Sequence, residues 1–440
     1  MNSLRRQKKL RMLAILAVVA LFVCAYLIGE ENGKAGRFVD VIGIAQASDQ
    51  AAGVGSNSIV PDRYVYYPGT EVLAEKEVRV IACGTGMPDQ RIAQASACFL
   101  FEFGNGEKLI FDLGTGSMRN IASLMIPYEY LDKIFISHLH TDHWGELGAI
   151  WAGGWTSGRP GPLRIWGPSG ETPEMGTAYA VEHFQKSNNW DFQTRAVKIT
   201  PLPGQIEVHE FDYRKENQVV YESNGIVVRS WPAIHIGDGP VSFGVEYAGM
   251  KLVFAGDTTP NMWFVKYAKG ADFVIHEAFA NPARYVEIMN QPPQLSWRMC
   301  CEFHTSGPSM GKVMSTIEPR HAVAYHHQQE LSPSVKEGIR QTYDGPLSLA
   351  TDLMVWNITK DEITERMAVV TRFANAVEGP TPQPPPDKGR KPLFTKAIEA
   401  GEWGPGFNAQ NSMLDEFSKK FGLENEDWRN QKPWYKPDTK

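Results

Sequence analysis

Eight consecutive residues, Ser137-His138-Leu139-His140-Thr141-Asp142-His143-Trp144, place three imidazoles and a carboxylate within six positions. They close a short apolar run, DKIFISH (132–138), that reads as a strand. His138 and His140 stand two apart at its end, so their side chains leave the backbone on one side. Asp142 and His143 fall in the turn and helix start that follow, and can bend back toward the same point. Imidazoles and a carboxylate at this density suit zinc or a similar borderline metal. A polar loop that happens to be His-rich is the plain alternative, and a single His pair would leave it standing. This packed cluster does not.

Four ligands on one short turn cannot all close around one ion, so others must come from elsewhere. His235 ends SWPAIH, Asp257 ends LVFAGD and His326 follows HAVAY, each after an apolar strand. A lone strand-end histidine is more often structural, but the joint occurrence argues for ligands. With these three, two metals can each take three or four protein ligands while sharing Asp257, at the roughly 3.5–4 Å spacing of two-metal sites.

Around the cluster the pattern alternates between strands and helices. Strands are predicted over 77–83, 97–103, 108–114, 162–168, 225–235, 271–279 and 321–327, with a hairpin over 241–257 turned at Gly249. Helices are predicted over 145–154, 176–186 and 308–316. Strands joined partly by hairpins and partly by helices imply an α/β sandwich of mixed sheets.

Charge narrows the function. Of 44 Lys and Arg, five lie in the first eleven residues, so the remaining 39 face 50 Asp and Glu. A nucleic-acid binder usually shows the opposite balance, because phosphate neutralisation supplies most of its affinity. Nucleic acid is therefore disfavoured as a partner, and a small-molecule substrate is expected. Behind the five cations, residues 12–28 (MLAILAVVALFVCAYLI) form an uncharged run of seventeen. That is a basic region followed by an apolar one, about 25 Å long as a helix, and it predicts export. The nearest good cleavage site, Ala45-Gln46-Ala47, lies far downstream. An uncleaved signal anchor is thus favoured over a cleaved signal peptide. The body is expected in the periplasm, anchored to the inner membrane by residues 12–28. Five cysteines are too few and scattered for a disulfide framework; Cys83 and Cys98 could pair in an oxidising compartment, but buried free thiols are the favoured reading.

Taken together these motifs resemble the metallo-β-lactamase-fold hydrolases, and within them the ribonuclease Z branch. The resemblance runs over roughly 76–356. It rests on CGTGMP…R (Cys83 to Arg91), FDLGTGS (111–117), the HLHTDH core, LRIWGPSG (163–170), AGDT (255–258), HEAF (276–279), HTS (304–306) and AYH (324–326). The exported setting and GGWTSGRPGP (153–162) also resemble a subgroup named for the guanitoxin-biosynthesis metallo-hydrolase. The fold implied is α/β: an αββα sandwich of two mixed β-sheets flanked by helices.

The resemblance also implies a site. His138, His140 and His235 would hold one metal, Asp142, His143 and His326 a second, with Asp257 bridging. His327 is an alternative to His326. Two zinc ions are implied, with Mn2+ or Fe2+ as alternatives. Asp142 would orient or deprotonate the attacking water, and His304 would stabilise the oxyanion and protonate the leaving oxygen. Glu277 would support His304 by hydrogen bonding. Asp112 would either orient a ligand histidine from behind or cap a turn. His183, His209, His276 and His321 read as structural, and Trp144, Trp151 and Trp155 as core.

The expected organisation is a signal anchor or signal peptide (1–30), a flexible tether (31–75), a hydrolase domain (76–378), and a Pro-rich linker with a helical tail (379–440). A homodimer is compatible with such a chain. Ribonuclease Z enzymes grip tRNA with a protruding basic, Gly/Pro-rich arm, whereas residues 187–224 here have mixed charge and one glycine. The leading expectation is therefore an exported dinuclear-zinc hydrolase of a small ester, phosphodiester or related bond. A tRNA 3′-processing nuclease comes second, and a non-catalytic metal-binding protein third.

Overall fold

Two sheets are laid down in almost unbroken blocks of sequence. The first contains β1 (Val65–Tyr66), β2 (Val78–Gly84), β3 (Cys98–Phe103), β4 (Lys108–Phe111), β5 (Lys133–Phe135), β6 (Leu163–Pro168) and β7 (Ile206–Phe211). The second takes β8 (Gln218–Ser223), β9 (Ile226–Pro232), β10 (Val241–Tyr247), β11 (Met250–Phe254), β12 (Phe273–Glu277), β13 (His321–Tyr325) and β14 (Leu347–Leu349). The chain then returns to the first sheet with β15 (Met354–Ile358) and β16 (Ile363–Ala368). The strand orders are β1-β16-β15-β2-β3-β4-β5-β6-β7 and β14-β13-β12-β11-β10-β9-β8. This computed structural model describes residues 64–89, 91–196, 199–373 and 411–423.

Each sheet is mixed in the same way. Hairpin strands β2–β4 and β8–β11 run antiparallel, whereas β4–β7 and β11–β14 run parallel. Period-two alternation sorts the side chains into layers. Phe99, Phe101 and Phe103 of β3 face the inter-sheet core with Phe111, Phe243 and Phe254. Cys98 and Leu100, one position out of step, face the helix layer with Ile150, Trp151 and Val181. Helices 262–268, 307–317 and 332–340 cover the second sheet through Phe264, Met310, Met314, Val335 and Ile339. Each phenylalanine buried in this way contributes about 1.5–3 kcal/mol of transfer free energy. The result is the expected αββα sandwich.

Several boundaries differ from expectation for one physical reason: residues that build the site leave the ladder. β4 stops at Phe111 because Asp112 turns into the left-handed region (φ 55). β5 stops at Phe135, and the Ser137 amide donates instead to the Asp112 carboxylate at 2.7 Å. Of the residues expected as tether over 31–75, the described ones join the first sheet: Val65–Tyr66 pair with Met367–Ala368 and Glu71 holds Arg366. Helices at 117–123, 282–289, 293–298 and 332–340 were not foreseen, each being only six to nine residues long. Residues 187–224 hold edge strands β7 and β8 and the helix Asn189–Arg195. Among the described residues no helix is long and apolar enough to cross a membrane. The apolar run 12–28, the Pro-rich linker and most of the tail lie outside those residues, apart from a helix at Asn411–Phe421. Cys83 and Cys98 are buried free thiols.

Candidate metal centre

Every predicted ligand, and with them the supporting Asp112 and Glu277, follows or ends a strand at its C-terminal end. Asp112 follows β4, the His138–His143 segment β5, His235 β9, Asp257 β11 and His326 β13, while Glu277 is the last residue of β12. The turn at 137–143 is set by close packing that only glycine permits. A Cβ on Gly114 would lie 2.0 Å from the Asp142 carbonyl oxygen, so the DLG turn can sit directly against the histidine cluster. The helix Thr141–Trp144 then starts after His140, which carries Asp142 and His143 inward.

Two sets of ligand atoms converge within 4.8 Å. One is His138, His140, His235 and Asp257; the other is Asp142, His143, Asp257 and His326. Asp257 belongs to both. Its Oδ2 lies 3.9 Å from His138 Nε2, 3.8 Å from His235 Nε2 and 3.4 Å from His326 Nε2. Its Oδ1 lies 3.3 Å from His143 Nε2. His140 Nδ1 lies 3.0 Å from His138 Nε2 and 3.2 Å from His235 Nε2. Ligands held at about 2.0–2.1 Å in a tetrahedron are separated by roughly 3.4 Å, which is the spacing found here.

These residues fit divalent metal on further grounds. His143 Nε2 and Asp257 Oδ1 are buried 3.3 Å apart outside hydrogen-bond geometry, an arrangement that a cation taking both would satisfy. Burial lowers the pKa of His138, and lowers that of His235 to about 4, so both stay neutral donors. Burial would also lower His143, but Asp257, Asp142 and Asp112 outweigh it and raise its pKa. That surplus of buried negative charge invites a cation. Asp142 resists its own burial and stays ionised, held low by His143 and His326.

Behind the ligands stands a layer of orienting contacts. Asp112 Oδ2 accepts from His143 Nδ1 at 2.6 Å and from Ser137 Oγ at 2.7 Å, so it both fixes a ligand ring and caps the turn. His235 Nδ1 meets the Phe303 carbonyl at 2.7 Å. Glu277 Oε2 meets His304 Nδ1 at 2.6 Å, and Glu277 Oε1 accepts from the Thr258 amide at 2.7 Å. Burial lowers the His304 pKa, yet Glu277 more than reverses this and raises it to about 9. Glu277, His304, His326 and Asp257 form a third convergent group, in which the 2.6 Å contact already engages His304 Nδ1. The His304 ring stacks on Phe279.

The remaining histidines lie elsewhere. His327 Nε2 pairs with Ser332 Oγ, His321 Nε2 with Ser348 Oγ, and His276 Nδ1 with the Glu277 carbonyl. His209 stacks on Trp166, and His183 lies against Tyr179. Trp151 and Trp155 are buried in the helix layer, with Trp144 packed against it. Asp352 was missed. Its half-buried carboxylate accepts from the Thr85 amide and hydroxyl, the Ala95 amide and Asn120 Nδ2 at 2.7–3.1 Å. Thr85 O in turn accepts the amide of His326, which sits in the left-handed region (φ 63). No sequence signal marks ATDLM as support for a ligand 26 residues upstream.

The profile of the metallo-beta-lactamase superfamily matches residues 92–276, a span that holds the ligands from His138 to Asp257. A ribonuclease Z of Mycobacterium sp. (strain KMS) is 31% identical over 260 residues, 58% of this chain and 86% of that protein. A ribonuclease Z of Mycobacterium bovis (strain BCG / Pasteur 1173P2) is 27% identical over 287 residues, 63% of this chain and 96% of that protein. Among solved structures, the short form of human tRNase Z aligns with 63% of this chain and 98% of its own, at 19% identity and a TM-score of 0.46.

Proposed function

Since the chain belongs to the metallo-β-lactamase superfamily, in its ribonuclease Z-like branch, and is a metal-dependent hydrolase, we propose that it cleaves a small ester, phosphodiester or related bond outside the cytoplasm. The observation that carries the chemistry is Asp257, a fully buried carboxylate ringed by His138, His143, His235 and His326.

His138, His140 and His235 would hold one divalent ion, and Asp142, His143 and His326 a second, with Asp257 shared. Two zinc ions suit this donor set, with Mn2+ or Fe2+ as alternatives. When bound, such a pair lowers the pKa of water and polarises the bond under attack. The protein's own part is to orient and to move protons. Asp142, ionised and 3.2 Å from His326 Nε2, orients the attacking water and takes its proton. Glu277 fixes the ring of His304 through Nδ1, which leaves Nε2 to donate to the departing oxygen. Phe279, stacked on that ring, shields the proton from bulk water.

Export is supported by the sequence: five cations, then seventeen uncharged residues, with no nearby cleavage site. A compartment-sensitive reporter fused at Lys440 should report the periplasm, and carbonate washing should leave the chain on the membrane. A cytoplasmic signal would overturn export. The second reading, a tRNA 3′-processing nuclease, is favoured by the similarity to mycobacterial ribonuclease Z. Against it stand the anionic body and the region 187–224, where edge strands occupy the place of a basic arm.

The test uses the purified full chain with zinc. Nitrophenyl esters, bis-nitrophenyl phosphate and a precursor tRNA are assayed side by side, with and without chelator. Chelator-sensitive turnover of the small substrates and an intact tRNA are expected. Specific tRNA cleavage would make the second reading the function, and no turnover of anything would remove the proposal.

A further inference from the structure

Two bays open on either side of the loop 232–240, and both reach His235. The loop is closed at its base by the Ala233 amide donating to the Pro240 carbonyl at 3.0 Å. Gly237 (φ 103) and Gly239 (φ 127) allow so tight a return. The larger bay, about 500 Å³, contains Tyr213, Arg214, Ile234 and Trp263. The smaller, about 260 Å³, begins at His138, His140 and His235, on the open side of the centre. Its other walls are mostly apolar: Leu139, Pro168, Met175, Ile236 and Pro240.

Two features of the smaller bay bear on what it takes. First, Ile236 is 56% and Met175 55% exposed, so two large apolar side chains stand in water beside the hydrolytic centre. Apolar surface in a concave site that adjoins reacting groups marks a ligand-binding groove. Second, among the described residues no Lys or Arg lines this bay, and its one charged wall residue besides the histidines is Asp238. The Asp238 carboxylate at the rim accepts from Tyr213 Oη at 3.0 Å. A flanking phosphate would meet repulsion there and no counter-charge. An uncharged chain would cover Ile236 and Met175 without desolvating any cation.

We infer that the smaller bay binds an uncharged aliphatic chain attached to the bond being cleaved, so that the substrate is an ester of a medium-length acyl group. This rests on the hydrolase reading above. In the reaction, the oxygen of water bonds to the acyl carbon and the acyl C–O bond breaks. The alcohol leaves with a proton from His304, and the fatty acid leaves from the bay. Ile236 and Met175 are specificity residues: they touch the chain and not the reacting atoms.

The test is a series of nitrophenyl esters from acetyl through butyryl, hexanoyl and octanoyl to decanoyl, on the zinc-loaded full chain. kcat/KM should rise by roughly threefold per added methylene until the bay is full, mainly through KM. In Ile236→Asp, and separately in Met175→Asp, the slope of log kcat/KM against chain length should fall by at least about half. A readout free of turnover accompanies it: calorimetric binding of octanamide against acetamide to the chelator-treated chain. Octanamide should bind at least about tenfold more tightly, and the Ile236→Asp chain should lose that preference. Flat rates and equal amide binding, with chelator-sensitive turnover of the acetyl ester retained, would overturn the inference and leave the hydrolase reading in place. Absence of chelator-sensitive turnover on every substrate would overturn that reading, and the inference with it.

Discussion

The two ligand sets use the same side-chain types but differ in how they are held. Asp142, His143, Asp257 and His326 are all buried, whereas in the other set His140 is exposed. The inner set is braced from behind. Asp112 fixes the His143 ring, and the Asp352–Thr85 pair fixes the strained backbone of His326. The outer set leans on less: Ser137 Oγ lies 3.1 Å from His138 Nδ1, a carbonyl meets His235, and His140 meets only other imidazoles in the hydrogen bonds it forms. The difference teaches that rigidity and access are divided between the sets. The inner one is preorganised at the cost of buried, strained groups. The outer one lines the smaller bay through His138, His140 and His235.

The largest effect should come from breaking what the two sets share. Asp257→Ala should lose both metals and all measurable turnover, as read by elemental analysis and assay together. Two metals retained with full turnover would refute the shared ligand. Next comes His304→Ala, which should keep both metals yet lose roughly 10²–10⁴-fold in rate. That loss should shrink for esters with good leaving groups, which need little protonation; an equal loss across leaving groups would point to damage elsewhere.

Asp112→Ala sharpens the contrast between the sets. It should weaken metal affinity by roughly 10–100-fold at the inner set, where His143 loses its direct brace, and less at the outer set, which Asp112 reaches only through Ser137 and His138. His140→Ala should do the converse, releasing the outer metal while the inner one stays. Equal losses at both sets in either variant would show that they do not act separately. The smallest effect on chemistry is expected for Asp352→Ala. It leaves the Ala95 amide without its acceptor, while the Thr85 amide keeps the Ala95 carbonyl at 3.0 Å, a loss of about 1–3 kcal/mol for the buried group in urea unfolding. Turnover per bound metal should change little beside that.

Much of this was legible in the sequence, and the reason is local density. The segment His138–His143 declares itself because four ligand groups lie within one turn. His235, Asp257 and His326 could be found because each follows an apolar strand, and parallel strands deliver their C-terminal ends to one side of a sheet. The pairing of Glu277 with His304 came from the resemblance, since 27 residues and two helices separate them. Asp112 could be narrowed to two roles, and it fills both. Asp352 was illegible: its partners Thr85, Ala95 and Asn120 lie more than 230 residues away, and no periodicity records a hydrogen bond. The two bays were equally hidden, because they depend on where a loop with Gly237 and Gly239 folds back, a matter of tertiary packing rather than of pattern.

Metal stoichiometry during stepwise chelation, measured alongside turnover, bears most directly on the claim that two metals share Asp257 between an open and a buried set. The zinc-loaded full chain should carry two metals and release them in two separated steps, the first leaving a one-metal form that His140→Ala reproduces. A chain that turns over fully with one metal, or that releases both in a single step untouched by His140→Ala, would contradict the account.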